Sequence, residues 1–266
     1  MSVDGGAADV ATVRVEARPG VVRLTLDRPA QGNALSLAMA RELTAAVRAA
    51  EADPDVHVLT LTGASRFFCG GGDVAAMGAA SPAERPAVLR ELADAASEVA
   101  LALVRSRLLV VAGVNGTAAG AGLGLVLNAD VVLVRDDALL LAAYAGIGLV
   151  PDTGVSWWLP RAVGPVRAAE LTLRGRRLTG AEAVEWGVAS EAVSGDEFEA
   201  RLAALEDELA AGAVHAYGPT KALLRGPETS GTPSTWTGRP RRSAPPAATR
   251  RRCAGWMRSC GGERAP

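Results

Sequence analysis

The sequence predicts an α/β fold whose C-terminal part is helical. Short β-branched runs alternate with helical segments from Val10 to about Gly164, and beyond Gly164 the pattern is mainly helical. The chain has 266 residues, 49% of them hydrophobic, which is enough to bury a large core. We expect one domain over residues 1–225, with its helical part beginning near residue 165, and a tail of different composition over residues 226–266.

The first elements of this fold are a hairpin, a helix and a strand. The runs Val10–Val15 and Val21–Leu26 flank the turn signal Arg18-Pro19-Gly20, which predicts a β-hairpin. Apolar residues at helical spacing on an alanine-rich background predict a helix over Leu37–Ala52. A strand over His57–Thr62 then leads into a glycine-rich loop.

The remaining elements follow from the same two periodicities. An amphipathic helix is expected from Ser81 to about Arg105, a small-residue helix over residues 120–128, and another helix after Asp152. The expected strands are Leu108–Val114, Ala129–Val134, Leu139–Ala142 and Val188–Val193, and the expected C-terminal helices are Pro165–Leu173, Gly180–Trp186, Asp196–Ala211 and Pro219–Leu224.

Charge and composition argue against several classes of function. The net charge is −1, but residues 227–266 carry +6, which leaves −7 on the rest of the chain and disfavours nucleic acid as a partner. Cys69, Cys253 and Cys260 have neither the pairing of a disulfide framework nor the spacing of a metal site, so we expect no metal. The sequence contains no signal-peptide pattern and no apolar run of membrane-spanning length, so we expect a cytoplasmic protein without a membrane partner.

Two glycine-rich segments point to a binding site. Gly70-Gly71-Gly72-Asp73 follows a predicted strand and precedes a helix, so its backbone N–H groups are suited to a partly anionic oxygen. The alternatives are a plain turn, or a dinucleotide fingerprint of the form G-x-G-x-x-A, which Asp73 disfavours because it would repel a pyrophosphate. The second segment, Asn115–Gly124, lacks that spacing and taken alone is explained by close helix packing.

Together the two segments resemble the crotonase superfamily, also called the enoyl-CoA hydratase/isomerase family, and the likeness extends from about Val13 to Arg225. The resemblance implies a crotonase-type spiral of repeated ββα units with C-terminal helices. It also implies assembly as a homotrimer or a dimer of trimers. The motifs that carry it are Leu26-Asp27-Arg28-Pro29, Asn33-Ala34-Leu35-Ser36, Gly113-Val114-Asn115-Gly116 with Gly120 and Gly122, Leu173-Arg174-Gly175, Ala181-Glu182-Ala183 and Gly187-Val188.

The same resemblance implies a site for an acyl-CoA thioester, in which coenzyme A is part of the substrate and no separate cofactor is needed. Two backbone N–H groups form the family's oxyanion hole, and the matching positions are Gly70 and Ala121. Preorganised donors of this kind stabilise developing enolate charge by about 3–4 kcal/mol each. The residues expected to contact the substrate are Asn33, Ala34, Gly70, Gly71, Gly72, Asp73, Ala121, Tyr144 and Trp157.

The catalytic carboxylates are the point at which the sequence departs from the family's hydratases. Those enzymes use two glutamates, and the matching positions are Gly124 and Tyr144, neither of which supplies a carboxylate base. Asp152, in Pro151-Asp152-Thr153-Gly154, resembles the proton-shuttling aspartate of the phenylacetate-pathway ring-epoxide isomerases, although an ordinary helix N-cap would look the same. We expect an isomerase that acts on an enoyl-CoA-type substrate. The alternatives are a hydratase with atypical acid–base residues and a non-catalytic acyl-CoA-binding protein.

Three other residues have simple interpretations. We expect Cys69 to be a small buried thiol rather than a nucleophile, and Asp73 to cap the helix after the first glycine-rich loop. Lys221 is the only lysine, and it either approaches the phosphates of coenzyme A or is a solvated helix residue.

The tail, Pro227–Pro266, is rich in Pro, Arg, Ser and Thr without periodicity, a composition typical of disorder. A second interpretation is a shifted reading frame, because back-translating Trp256–Gly261 two bases later permits Asp-Ala-Phe-Leu-Arg, a typical ending of the family. A third is an arginine-rich arm for nucleic acid or membranes, which the lack of lysine and of amphipathic spacing disfavours.

Overall fold

The computed structural model describes residues 11–226, so the tail and the start of the strand expected over Val10–Val15 lie outside the described residues, as do Cys253 and Cys260. The strands are β1 (Val13–Arg18), β2 (Val21–Leu26), β3 (Val58–Gly63), β4 (Phe67–Cys69), β5 (Leu109–Val114), β6 (Thr117–Ala119), β7 (Val131–Arg135), β8 (Leu139–Leu141), β9 (Arg177–Thr179) and β10 (Glu191–Val193). The helices are α1 (Leu37–Ala52), α2 (Val74–Ala79), α3 (Arg85–Arg105), α4 (Ala121–Leu127), α5 (Val155–Val163), α6 (Pro165–Leu173), α7 (Gly180–Glu185), α8 (Phe198–Ala210) and α9 (Val214–Arg225).

The chain builds two sheets in alternation. The strand order is β1-β2-β3-β5-β7-β10 in the six-stranded sheet and β4-β6-β8-β9 in the four-stranded sheet. In each of the pairs β3/β4, β5/β6 and β7/β8, the first strand joins the large sheet and the second joins the small one, and a helix follows. The chain therefore winds as a spiral of ββα units and ends in helices, which confirms the expected fold class.

The large sheet is buried on both faces at its centre. The strands β2, β3, β5 and β7 are parallel neighbours, and parallel strands covered on both sides are continuously apolar rather than alternating. One face packs on α1 through Met39, Leu43 and Val47, and the other packs on α8 through Phe198 and Leu202. This sandwich places the ends of the strands, rather than their faces, at the surface where the loops lie.

Several boundaries differ from the sequence-based expectation. The strands β4, β6 and β9 have three residues each, too few to show an alternating pattern, and they were not expected. The strand expected over Val188–Val193 begins only at Glu191, because the N–H groups of Val188 and Ala189 bond to the Ala183 carbonyl at the end of α7. Helix α9 begins at Val214 and contains Pro219 in its interior. Within residues 11–226, no helix combines the length and apolar character needed to cross a bilayer.

Candidate active site

The two glycine-rich segments lie side by side at one edge of the small sheet. The strands β4 and β6 are parallel neighbours, so the loop after Cys69 and the turn after Ala119 leave the sheet in the same direction. A Cβ at Gly122 would overlap the carbonyl oxygen of Cys69. A Cβ on Gly71, whose φ is 102°, would lie 2.9 Å from the carbonyl oxygen of Ala119, just before α4. Glycine at these two positions lets the first loop rest against the start of α4.

The backbone N–H groups of these segments differ in their availability. The N–H of Gly70 donates to the carbonyl oxygen of Gly32 at 2.8 Å, so the structure contradicts the assignment of Gly70 as an oxyanion donor. The N–H of Leu35 donates to the carbonyl oxygen of Gly71, and the carbonyl oxygen of Leu35 accepts from the N–H of Asp73. In this parallel bridge the N–H of Gly72 points away from Leu35. Neither Gly72 nor Ala121 donates its N–H to any acceptor among residues 11–226. These two groups are free to bind a substrate oxygen.

Asp73 and Arg28 fasten the first loop to the entry segment. The Asp73 carboxylate accepts from the backbone N–H of Ala76 at 3.0 Å, which confirms that it caps α2. Its second oxygen pairs with the Arg28 guanidinium at 3.0 Å, and Arg28 also donates to the carbonyl of Ala34 at 2.7 Å. The sequence did not single out Arg28 as a site residue, although it lies in the motif before Pro29. The ion pair holds the two segments expected to contact coenzyme A against each other.

Asn33 shapes the entry segment from inside the protein. Its side chain is fully buried, and its amide donates to the carbonyls of Ala64 and Phe67 at 2.9 and 2.7 Å. Its side-chain oxygen accepts from the backbone N–H of Arg28 at 2.9 Å. The polar atoms of Asn33 are therefore occupied by protein partners, and a contact between Asn33 and coenzyme A stays a prediction.

Asp152 belongs to a cluster with two hydroxyl groups. Oδ1 accepts from the Tyr144 hydroxyl at 2.8 Å and from the Thr153 hydroxyl at 3.2 Å, and the two hydroxyl oxygens are 3.0 Å apart. The other carboxylate oxygen, Oδ2, accepts no side-chain hydrogen bond in the part of the chain that the structure describes. The interpretation of Asp152 as a helix N-cap is wrong, because Gly154 occupies the N-cap position of α5 and no side chain caps that helix. The carboxylate points instead towards Tyr144.

The environment of this cluster changes its acid–base properties. Burial is the main cause that raises the pKa of Asp152 above its ordinary value, and the hydrogen bonds from Tyr144 and Thr153 act in the opposite direction. Burial, and then the charge of Asp152, raise the pKa of Tyr144 well above its usual range, so the phenol stays protonated and remains a donor. A carboxylate with a raised pKa is a stronger base than an exposed aspartate, and its free oxygen can accept a proton.

Gly124 brings this cluster close to α4, the helix that begins at Ala121. A Cβ at Gly124 would overlap the Thr153 hydroxyl and lie 2.7 Å from the Thr153 Cβ, so no side chain fits at position 124 while Thr153 stays in place. Gly124 lies three residues after Ala121 on the same face of α4, a rise of about 5 Å. The free N–H of Ala121 and the carboxylate of Asp152 therefore flank the same short stretch of helix.

Trp157 and Cys69 are the other two side chains that the sequence places near the site. Trp157 packs against Ala100 and Val104 of α3, and the Arg161 guanidinium covers its ring at 3.5 Å, so its expected role in lining the acyl pocket stays a prediction. Cys69 is fully buried, and burial raises the pKa of its thiol to about 11. Its burial confirms the prediction of a small buried thiol, and the raised pKa disfavours the thiolate needed for nucleophilic attack.

Lys221 does not fit either of its sequence-based interpretations. Its side chain is 5% exposed, and its ammonium group pairs with Asp130 at 2.8 Å. The same group donates to the carbonyl oxygens of Leu103 and Leu108 at 2.9 and 3.1 Å. Lys221 is thus neither solvated nor available to a phosphate, because three oxygen atoms of the protein already surround it. Among residues 11–226 no group of His, Cys, Asp and Glu side chains is arranged to hold a metal ion.

Comparison with known proteins places this site in context. Residues 16–235 match the family model described as Enoyl-CoA hydratase/isomerase. A Rhodobacter capsulatus protein described as a probable enoyl-CoA hydratase is 40% identical over 210 residues, which are 79% of this chain and 79% of that protein. The 1,2-epoxyphenylacetyl-CoA isomerase of Escherichia coli is 32% identical over 211 residues, which are 79% of this chain and 80% of that enzyme.

A solved structure agrees with the sequence relatives. An enoyl-CoA hydratase from Mycobacterium avium subsp. paratuberculosis superposes with a TM-score of 0.73 at 32% identity, covering 81% of this chain and 82% of that one. The names of these proteins include both hydratase and isomerase, so the names alone do not choose between the two reactions. That choice depends on the acid–base residues of the site.

Proposed function

Because the chain belongs to the enoyl-CoA hydratase/isomerase family, we propose that it binds an acyl-CoA thioester and isomerises an enoyl-CoA-type substrate with Asp152 as the acid–base residue. The observation that carries this proposal is the half-buried Asp152 carboxylate, which two hydroxyl groups orient next to α4. Moving a double bond requires one base that removes a proton and later returns it. A carboxylate with one oxygen anchored and the other free meets that requirement.

The oxyanion donors in this proposal are the N–H groups of Gly72 and Ala121. Both are without an acceptor among the described residues, and both belong to the segments that meet at the start of α4. A thioester oxygen held between them would carry the negative charge of an enolate, which makes the α-proton more acidic. Coenzyme A enters as part of the substrate, and no separate cofactor takes part.

The proposed proton transfer is balanced within the substrate and Asp152. For a 3-enoyl-CoA, the carboxylate removes a proton from the α-carbon, and the electron pair of that C–H bond forms a dienolate whose charge lies on the thioester oxygen. The protonated carboxyl group then returns the proton to the γ-carbon, and the double bond moves to the 2-position. Asp152 ends in its starting state, and no water is consumed.

The lack of a second acid–base carboxylate weighs against hydration. Gly124 cannot carry a side chain because Thr153 fills the adjacent space, and the Tyr144 hydroxyl is already committed to Asp152. Hydratases of this family hold the attacking water with two glutamates, and each positioned acid–base group contributes about 10²–10⁴-fold in rate. A water molecule held by Asp152 alone would be a poor nucleophile.

A substrate panel tests the proposal. The purified chain is incubated with a 3-enoyl-CoA, a 2-enoyl-CoA and a ring-epoxide CoA thioester in deuterated buffer, and the products are followed by mass spectrometry and NMR. We expect positional isomers of the substrate without addition of water. A 3-hydroxyacyl product would instead establish a hydratase, and tight binding without turnover of any thioester would establish a non-catalytic binding protein.

The pH dependence of the reaction gives a second prediction. Asp152 must be ionised to act as a base, and its pKa is raised by burial. We expect kcat/KM to fall as the pH decreases through a midpoint above about 3.9, the ordinary value for aspartate.

The raised pKa of Asp152 also affects stability. As the pH falls through the same midpoint, the free energy of unfolding of wild type increases relative to that of Asp152→Asn, and this gain is lost as the pH rises. Initial rates and thermal unfolding across pH measure both effects, and an acid limb at or below the ordinary aspartate value would contradict the assignment.

Assembly as a homotrimer or a dimer of trimers remains part of the proposal. Val166 and Leu173 on one face of α6 are 81% and 76% exposed, which is unusual for large apolar side chains and offers a surface for subunit contact.

A further inference from the structure

The segment that carries Asp152 has a backbone conformation that requires support from its neighbours. Thr153 is fully buried and has a φ of 48°, and Gly154 follows with a φ of 83°. A β-branched residue in the left-handed region is strained, and it persists only where the surroundings hold it. Because the Thr153 hydroxyl donates to Asp152, the position of the carboxylate depends on this backbone.

The side chain of Asn128 supplies that support. Its Nδ2 donates to the carbonyl oxygen of Thr153 at 2.8 Å and to that of Gly124 at 2.7 Å. Its Oδ1 accepts from the indole N–H of Trp158 at 3.0 Å. Asn128 has no exposed surface, and these three bonds join α4, the Thr153 segment and α5. The amide cannot exchange its oxygen and nitrogen positions, because an oxygen would then face two carbonyl oxygens.

Helix α9 holds the backbone of the same residue. Arg225 donates to the carbonyl oxygen of Asn128 at 2.9 Å and pairs with Asp130 at 2.6 Å. Lys221 pairs with the other oxygen of Asp130, which accounts for the burial of the only lysine. The Arg225 guanidinium also lies 5.0 Å from the centre of the Trp158 ring. With its backbone fixed by α9 and its amide fixed by Trp158, Asn128 presents its donor to Thr153 in one direction.

We propose that Asn128 is a positioning residue that fixes the Asp152 carboxylate through Thr153. Asn128 is the C-cap residue of α4, one turn after Gly124. Its amide reaches the carbonyl oxygen of Thr153, which lies against Gly124. It touches neither the substrate nor the proton in transfer. The inference rests on the proposed isomerase function, because it assigns the role of holding the isomerase base.

The test compares wild type with Asn128→Leu, which keeps the branching of the side chain and removes all three side-chain bonds. We expect kcat for isomerisation to fall at least about tenfold, since small misplacements of a catalytic group cost up to about 100-fold. KM and the affinity for an unreactive acyl-CoA thioether should change less than about twofold, because the binding loops are untouched. In ¹³C-aspartate NMR, with Asp152→Asn for assignment, the pKa of Asp152 should move upwards because the hydroxyl donors that lower it are displaced.

A matched control separates positioning from general loss of stability. Asn115 is also a buried asparagine, and its amide donates to the Ser65 carbonyl at 2.8 Å while its oxygen accepts from the Gly63 N–H at 3.0 Å. Asn115→Leu should lower the unfolding temperature without moving the pKa of Asp152. If Asn128→Leu does not fold, Asn128→Ser, whose short side chain cannot span both carbonyls, takes its place in the same measurements.

The outcomes separate this inference from the proposed function. A folded Asn128 variant with wild-type kcat and an unchanged Asp152 pKa overturns the positioning role. Absence of isomerisation by wild type overturns the proposed function. In that case the NMR titration alone decides whether Asn128 controls the carboxylate.

Discussion

Replacing Asp152 with asparagine is expected to lower kcat for isomerisation by about 10²–10⁴-fold while the protein stays folded. The amide has nearly the same shape as the carboxylate and can still accept from the Tyr144 hydroxyl, but it cannot take up a proton. Since burial disfavours the charged carboxylate, the variant should be at least as stable as wild type at neutral pH. Steady-state rates with the thioester that the substrate panel identifies, together with thermal unfolding, measure the two effects.

The control for this substitution is Asp137→Asn. Asp137 is 63% exposed and pairs only with Arg135 at the surface among residues 11–226, so its loss should change kcat by less than about twofold. Wild-type turnover by Asp152→Asn would remove the carboxylate from the mechanism and would leave the reaction without an identified base.

Replacing Ala121 with proline is expected to lower kcat/KM by about 10²–10³-fold, because it removes one of the two proposed oxyanion donors. Ala121 is the first residue of α4, where proline is tolerated because the N–H has no partner within the helix. The preceding residue, Gly120, has a ψ of −116°, which lies outside the helical region that a following proline excludes. The substitution therefore removes the donor with little demand on the fold.

Ala121→Gly is the matched control for the proline variant. It keeps the N–H and removes only a methyl group from a buried position, so the rate should stay close to that of wild type, with a modest loss of stability. Equal activity of the proline and glycine variants would show that the oxyanion is stabilised elsewhere. Circular dichroism of both variants confirms that the comparison is made between folded proteins.

The sequence predicted much of the fold because the features that reveal it are local. The hairpin of β1 and β2, helix α1 and the strands β3 and β5 follow from periodicity and turn residues within short windows. The three-residue strands β4, β6 and β9 were missed for the same reason, since their pairing partners are distant in the chain. A local motif also identified Asp152 as a candidate, but it did not predict the contacts of Asp152 with the hydroxyl groups of Tyr144 and Thr153.

The arrangement of the site depended on contacts between distant segments. The pattern of consecutive glycines could not show that the Gly70 N–H is bonded to Gly32, whereas the Gly72 N–H has no acceptor among residues 11–226. A helix cap and a proton-transfer carboxylate have the same local sequence at Asp152, and the cap is excluded only by the structure, in which Gly154 occupies the N-cap position of α5. Hydrogen bonds and burial are properties of neighbours in space, so they decide which of several chemically equivalent groups is available.

The sequence by itself determined the fold class, the two glycine-rich segments and the absence of the hydratase carboxylates at Gly124 and Tyr144. Only the tertiary structure decided which backbone donors are free, that Lys221 is buried against Asp130, and that Asn128 holds the Thr153 segment. The physical reason is that residue type and spacing decide which secondary structure a segment can form. Packing decides in which direction each polar group points and whether it is exposed to water.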